Sequence, residues 1–168
     1  MRTRLAIGLL VVAVLVAASG AAAADRLTGF GATRKAWYAH HKVQHSPILL
    51  PGCCFGSPQN DGQFRYYNVQ YALNRVSYYN MDFGPRIGAS DARKRMKSEL
   101  PSDAKLVAHK RRKTCEQFAY RSAALRKAVG RATVGVEFSS DVKGGSYDGK
   151  VRKVTVSSLV SVHAACGA

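Results

Sequence analysis

Segments in which apolar residues occupy every second position recur along the chain after residue 63. This alternation, with many Val, Tyr and Phe side chains, is typical of half-buried strands. A turn at Leu73-Asn74 is predicted to join the first two strands as a hairpin. The last strand places alternate residues on one face, namely Val154, Val156, Ser158, Val160 and Val162. The predicted strands cover 64–71, 75–83, 104–109, 114–121, 133–138 and 151–162.

Three short helices are predicted between these strands. The first covers 34–42 and has Thr33 as its N-cap. The second runs from Ser90, its N-cap, to about residue 100, and the third covers 122–129. The order is therefore helix, strand, strand, taken three times.

The predicted fold class is α+β. Helices that follow one another in this order pack on one face of a sheet, so we expect an antiparallel sheet of about six strands with two or three short helices on one face. The stretch 44–62 carries three prolines and three glycines, and it is predicted to be a long loop.

A short pattern supports repeated helix-strand-strand units. Phe30-Gly31-Ala32-Thr33 and Ile87-Gly88-Ala89-Ser90 share the order apolar, Gly, Ala, hydroxyl, 57 residues apart. The same pattern is also a general way to begin a helix, which is the alternative explanation. The unit resembles the repeats of the β-lactamase-inhibitor-like and outer-membrane assembly lipoprotein families.

That resemblance implies a role in binding proteins through the sheet. The chain departs from those families in its high basicity and in the lack of a cysteine that could carry a lipid anchor. The stretch 30–41 also resembles the opening of uncharacterised secreted proteins of actinobacterial type, which implies no activity.

The N-terminal stretch has the three parts of an export signal: a basic start, an apolar run at 5–17 and small residues at its end. The apolar run is about 13 residues long, whereas a helix that spans a membrane needs roughly 20. We expect residues 1–24 to be a signal peptide, cleaved after Ala24 or Ala23. The remainder, 25–168, is expected to be one secreted or extracytoplasmic α+β domain without a transmembrane segment. An uncleaved N-terminal anchor is the alternative.

The chain is strongly basic, with 26 Lys and Arg against 10 Asp and Glu and a formal net charge of +16. Loss of Arg2 and Arg4 with the signal leaves 24 basic and 10 acidic side chains, a net charge of +14. Such a surface attracts anionic polymers, nucleic acid without sequence preference, anionic lipids or acidic proteins. Positive charge that serves solubility alone is the competing interpretation.

Four cysteines, Cys53, Cys54, Cys115 and Cys166, would form two disulfides in an oxidising compartment. Three connectivities are open. Adjacent cysteines rarely bond to each other because the ring is strained, so we expect Cys53 and Cys54 each to reach one distant partner. A metal site is the competing hypothesis, but no metal-binding spacing accompanies these residues.

Basic residues cluster in two places. Four of them follow His109 at the tip of the predicted second hairpin, and others lie on the second helix. Like charges at a hairpin tip repel one another and should face water, and together with the helix they would form a patch for phosphates. A solvated turn is the alternative. The candidate anion-binding residues are Arg93, Lys94, Lys97, Lys110, Arg111, Arg112 and Lys113.

Tyrosines make the first hairpin unusually aromatic. One face of the hairpin would pack on the helices, and the other would leave an aromatic binding surface of Tyr66, Tyr67, Tyr78 and Tyr79. Packing of these rings in the core is the alternative.

Histidines are the remaining candidate chemistry. His40, His41 and His45 have poor metal-ligand spacing, so neither a metal nor a cofactor is expected. Two of His40, His109 and His163 would serve as acid and base in a secreted nuclease, because histidine titrates near neutral pH.

The function expected from the sequence is that of an exported basic binding domain without catalytic activity, with an anionic envelope polymer or an acidic protein surface as its partner. The alternatives are a small secreted nuclease and a secreted enzyme inhibitor.

Overall fold

The computed structural model describes residues 27–41, 55–58, 64–140 and 146–166. The expected signal peptide, the pair Cys53 and Cys54, and His45 lie outside these ranges. No helix in the described part of the chain is long and apolar enough to cross a bilayer.

The structure confirms an α+β fold with an antiparallel sheet. The sheet has seven strands in the order β1-β2-β3-β7-β6-β5-β4, one more than the six expected. The helices are α1 (Arg34–His41), α2 (Ala89–Glu99) and α3 (Ala123–Val129). The strands are β1 (Phe55–Pro58), β2 (Phe64–Ala72), β3 (Arg75–Gly88), β4 (Lys105–Arg111), β5 (Cys115–Arg121), β6 (Thr133–Ser139) and β7 (Lys150–Ser157).

The additional strand is β1, which lies within the stretch that was predicted to be a loop. It pairs with β2 from Phe55 opposite Tyr67 to Pro58 opposite Phe64. Its proline is its last residue, and β1 is at the edge of the sheet, where a missing backbone N–H costs no hydrogen bond to a further strand. The proline therefore favours a loop in the sequence pattern, but at this position it is compatible with a strand.

Side-chain caps begin two of the helices, and the first of them, Thr33, is the one that was predicted. The Ala36 backbone N–H donates to Thr33 Oγ1 at 3.2 Å, and the Leu125 N–H donates to Ser122 Oγ at 3.1 Å. The prediction of Ser90 as a cap is wrong. Helix α2 begins at Ala89, with Gly88, two residues before Ser90, at the N-cap and no side-chain cap, so Ser90 lies within the first turn.

One face of the sheet and the three helices share a hydrophobic core. Strands β3, β7, β6 and β5 contribute a row of buried residues in mutual register: Tyr79, Val156, Val136 and Phe118. Each helix adds a side chain that is fully or almost fully buried: Trp37 from α1, Met96 from α2 and Leu125 from α3.

The end of β7 differs from the prediction of a strand to residue 162. The strand ends at Ser157, whose Oγ accepts hydrogen bonds from the Leu159 and Val160 N–H groups at 3.0 and 3.2 Å. This turn redirects the chain across the other sheet face, where the Val160 carbonyl packs directly on Gly135. Val160 and Val162 are therefore buried as part of a segment that crosses the sheet, and they do not belong to a strand.

A disulfide between Cys115 and Cys166 fastens the C-terminal segment, with a Cα–Cα distance of 5.9 Å. The expectation that each cysteine of the adjacent pair reaches a distant partner is therefore wrong. Cys115 is on the sheet face that the C-terminal segment crosses, so Cys166 arrives beside it once the chain has turned at Ser157.

Candidate functional site

The three glutamates of the chain are all buried. The exposed fractions are 3% for Glu99, 6% for Glu116 and 6% for Glu137. A buried carboxylate must be paired or hydrogen-bonded, because desolvation of an unpaired charge costs several kcal/mol. Each glutamate is therefore best described through the donors around it.

Glu116 is the carboxylate that lies where α2, the β4–β5 hairpin and the segment after residue 145 meet. His109 Nε2 lies 2.8 Å from its Oε1, and Arg93 Nη1 donates to the same oxygen at 3.4 Å. The Tyr147 hydroxyl donates to Oε2 at 3.1 Å. One carboxylate thus joins three parts of the chain, through a guanidinium, an imidazole and a phenol.

The imidazole of His109 is held in a fixed plane. It stacks on the ring of Phe118, its register partner on β5, with the centroids 4.6 Å apart and the planes 1° from parallel. Its side chain keeps 42% of its surface exposed. Nε2 of the ring faces the buried carboxylate of Glu116. No described residue hydrogen-bonds to Nδ1, so this nitrogen is left for other contacts.

Tyr147 is the second ring of this site. Burial, and then the negative charge of Glu116, raise the pKa of the Tyr147 hydroxyl, so that it remains a proton donor to the carboxylate. The Arg111 guanidinium lies over the same ring, 5.5 Å from its centroid. The Tyr147 N–H donates to the Lys113 carbonyl at 2.7 Å, which brings the hairpin turn to the same place.

Glu116 joins α2 to the β4–β5 hairpin, and both elements carry exposed basic residues. We call this set of residues the α2–hairpin surface. Arg93 and Lys97 are one helical turn apart and lie on one side of α2. His109 and Arg111 alternate on one face of β4, and Lys113 is in the turn. All are exposed. The α2–hairpin surface consists of Arg93, Lys97, His109, Arg111 and Lys113.

Not every predicted basic residue belongs to this surface. Lys94 is on α2 but has Asp91 3.9 Å away, so its charge is partly compensated. Lys110 pairs in register with Gln117, and strand alternation places it on the sheet face opposite His109 and Arg111.

The expectation that Arg112 faces water is wrong. Its Nε donates to Gln117 Oε1 at 3.0 Å, and its Nη2 donates to the Val162 carbonyl at 3.0 Å. Gln117 in turn donates to Glu137 Oε2 at 2.9 Å. Arg112 therefore serves to hold the C-terminal segment against the sheet, because a guanidinium can satisfy several acceptors at once.

The proposed aromatic surface is only partly described. Tyr79 is fully buried and packs against Trp37, so its assignment to an exposed surface is wrong. Strand β3 places it on the core face, where its ring fills space between sheet and helices. Tyr78 is half-buried and donates to Asn80 Oδ1 at 2.8 Å. Tyr66 and Tyr67 lie in β2, and their side chains are outside the described residues.

A second histidine–glutamate pair lies inside the protein. His41 Nε2 is 2.9 Å from Glu99 Oε2, and His41 Nδ1 is 2.8 Å from the Trp37 carbonyl. A carbonyl only accepts, so Nδ1 carries a proton and one further proton is held between Nε2 and the carboxylate. Burial is the main cause that lowers the pKa of the neighbouring His40.

This pair changes the metal hypothesis in one respect. An acidic group does lie beside the histidines, since ligand atoms of His40, His41 and Glu99 fall within 4.8 Å of one another. Glu99 comes from α2, 58 residues along the chain from His41, so no local spacing could show it. Both His41 nitrogens already have protein partners, and the pair ties α1 to the end of α2.

The three histidines proposed as acid and base do not meet. His40 is in α1, His109 is in β4 and His163 is an exposed residue of the C-terminal segment, and no hydrogen bond or ring contact joins any two of them within the described ranges. The partner of His109 is instead Glu116.

Glu116 and Tyr147 were not singled out by sequence reasoning. One signal for Glu116 was present, because it alternates with Phe118 and Tyr120 on the predicted strand and so falls on an apolar face. No family model, curated protein or solved structure matches the chain. The resemblance based on two short motifs therefore gains no support from these comparisons.

Proposed function

We propose that this protein is exported and binds an anionic polymer through the α2–hairpin surface. The observation that carries the proposal is the convergence of Arg93, His109 and Arg111 around one buried carboxylate. Glu116 accepts hydrogen bonds at the base of the surface, while the guanidiniums and the imidazole remain partly exposed above it.

The balance of charge supports an anionic ligand. The surface has two guanidiniums and two ammonium groups against the one carboxylate that Arg93 contacts, so positive charge is in excess whether or not His109 is protonated. The Arg93 guanidinium contacts the carboxylate at 3.4 Å and compensates its charge toward an approaching anion. Groups arranged in this way attract phosphate or sulfate, and guanidiniums bind such groups in a bidentate manner.

A polymer is favoured over an acidic protein as the partner. The cationic groups come from a helix and a neighbouring hairpin, so the surface presents several separate charges. Interfaces between proteins usually contain a hydrophobic or aromatic centre. The five residues of this surface are all basic or titratable, and the exposed apolar side chain on the same strand face is that of Leu106. A polymer with regularly spaced anionic groups can place one group against each of these charges.

The site can be tested with a triple variant, Lys97→Gln, Arg111→Gln and Lys113→Gln. These residues were chosen because none donates to Glu116, so the buried carboxylate keeps its partners. We expect the dissociation constants for heparin and for a DNA duplex to rise about tenfold or more at moderate salt. Fluorescence anisotropy measures both.

The control removes the same charge at the other end of β5. Arg121 is the last residue of β5, about 20 Å along the strand from Cys115, and Arg126 and Arg131 come after it in the chain; all three are exposed. Their replacement by Gln should leave both dissociation constants within about twofold of the original. Equal losses in the two triple variants would show that total charge, rather than the α2–hairpin surface, governs binding.

A further inference from the structure

We infer that the α2–hairpin surface cleaves RNA, with His109 as the general base. This inference rests on the proposed function and narrows its anionic polymer to one that carries a hydroxyl group beside each phosphate. It arises from the His109–Glu116 pair, which the binding of an anion does not by itself require.

The first step is the protonation pattern of His109. A carboxylate can only accept, so the 2.8 Å contact places a hydrogen on Nε2 of the neutral ring. Nδ1 then carries the lone pair. Because the ring is stacked on Phe118 and bonded to Glu116, the lone pair has a fixed direction. Orientation of an imidazole by a carboxylate is what prepares it for general-base catalysis.

The second step concerns the charge that develops at phosphorus. Arg93 contacts the same Glu116 oxygen as His109, so its guanidinium is the neighbour of the imidazole. Its side chain is 45% exposed, which leaves donors for a phosphate. Arg111 lies two residues from His109 on the same strand face. Two guanidiniums beside one base match the needs of a phosphoryl transition state, whose charge spreads over the equatorial oxygens.

The third step explains why the substrate is RNA. Tyr147 keeps its proton, and burial also raises the pKa of Tyr120, so neither phenol supplies a base here. The lone pair on His109 Nδ1 is the proton acceptor that the geometry presents. A single base is sufficient when the nucleophile belongs to the substrate. The 2′-hydroxyl of a ribose is such a nucleophile, and DNA lacks it.

The reaction is a transfer within the RNA chain. His109 Nδ1 takes the proton of the 2′-hydroxyl as the 2′ oxygen forms a bond to phosphorus. The bond from phosphorus to the 5′ oxygen breaks, and this oxygen leaves with the electron pair and takes a proton from water. The imidazolium returns its proton to the hydroxide so formed. The products are a 2′,3′-cyclic phosphate and a 5′-hydroxyl, with no oxidant or reductant needed.

The test compares an RNA oligonucleotide with the DNA oligonucleotide of the same sequence, with a chelator present to suppress contaminating metal-dependent nucleases. We expect the protein to bind both, to cut only the RNA, and to leave cyclic phosphate ends. His109→Gln should lower the cleavage rate by at least about 100-fold, the usual contribution of a general base. An amide at this position can still donate to Glu116, so DNA affinity should fall far less than the cleavage rate does.

The matched control is His163→Gln, which changes an exposed histidine on the C-terminal segment and should cut RNA at the original rate. RNA that stays intact while both oligonucleotides bind would overturn the inference and leave the binding proposal standing. Failure to bind either oligonucleotide would overturn both. Undiminished cleavage by His109→Gln would also overturn the inference, because the activity would then come from another group.

Discussion

A carboxylate beneath a basic surface affects the side chains above it in two ways. Glu116 lowers the repulsion between Arg93 and His109, which both contact its Oε1, so that the two can lie side by side. It also orients both side chains, since each is hydrogen-bonded to the same oxygen of a buried carboxylate. Order in the surface therefore depends on a buried carboxylate beneath it.

At the same scale, Tyr147→Phe tests how much Glu116 depends on its neutral donor. The change removes the 3.1 Å hydrogen bond to Oε2 and leaves one oxygen of a buried carboxylate without that donor. Hydrogen bonds to charged groups contribute about 1.5–3 kcal/mol, so the free energy of unfolding should fall by about 2 kcal/mol. Urea denaturation measures it.

Tyr120→Phe is the matched control, because Tyr120 is half-buried on the same strand face as Glu116 and its hydroxyl makes no hydrogen bond to a described residue. The loss there should stay below about 0.5 kcal/mol. Equal losses in the two variants would mean that the hydroxyl bond to Glu116 contributes no more than the general environment of a tyrosine.

At the scale of elements, α3 is joined to the loop before β4 by Asp103. One carboxylate oxygen accepts from the Ser122 hydroxyl, and the other accepts from the Ala123 and Ala124 N–H groups at 2.7 and 3.0 Å. The first turn of α3 thus has two caps, since Ser122 Oγ receives the Leu125 N–H. The hydrogen bond from Ser122, and then those from the backbone, lower the pKa of Asp103.

The pH dependence of stability follows from that direction. A folded-state pKa below the unfolded value gives stability that is present above the unfolded pKa and is lost as pH falls through the folded pKa. Asp103→Asn should therefore cost about 1 kcal/mol at neutral pH and clearly less at about pH 2.5, as measured by urea unfolding at both values. A cost that stays constant with pH would contradict the assignment of the charged carboxylate as the cap.

Asp91→Asn is the control for this effect. Asp91 lies in the first turn of α2 and is exposed, and its nearest cation is the Lys94 ammonium group at 3.9 Å. Exposed pairs of this kind contribute little, so the cost should be below about 0.5 kcal/mol at either pH.

Local pattern was sufficient for most of the elements. Strand alternation and turn residues located β2 to β6, and Leu73 and Asn74 do form the hairpin turn, with φ of 49° and 61°. The extent of β7 could not be predicted, because the valines at 160 and 162 continue its alternation and only the Ser157 turn separates them. Burial by a crossing segment and burial by a sheet leave the same pattern in a sequence.

The site was predictable in its charges and not in its geometry. Arg93, Lys97 and Arg111 stand out by composition. Their arrangement around Glu116 depends on the register of β4 with β5 and on the approach of α2, which are long-range contacts. The four basic residues that follow His109 are divided between the two sheet faces, with Lys110 and Arg112 on the face opposite Arg111. This too follows from alternation once the strand is known to extend to Arg111.

At the scale of the whole molecule, the burial of the glutamates accentuates the charge of the surface. Three of the ten acidic side chains of the chain are inside, and each is engaged with a His, Arg, Tyr or Gln side chain. The described acidic groups nearer the surface are aspartates, several of which already bond to neighbours such as Arg86, Lys94 and Ser122. A chain with a net charge of +16 thus presents its basic residues with few competing anions.

The measurement that tests most directly whether the α2–hairpin surface binds a polyanion is the salt dependence of DNA-duplex affinity. Each phosphate contact contributes about −0.9 to the slope of log K against log salt concentration. Loss of Lys97, Arg111 and Lys113 should make the slope about 2–3 less negative, while loss of Arg121, Arg126 and Arg131 should leave it unchanged. A slope near zero for the unaltered protein, or the same change of slope in both triple variants, would contradict binding at this surface.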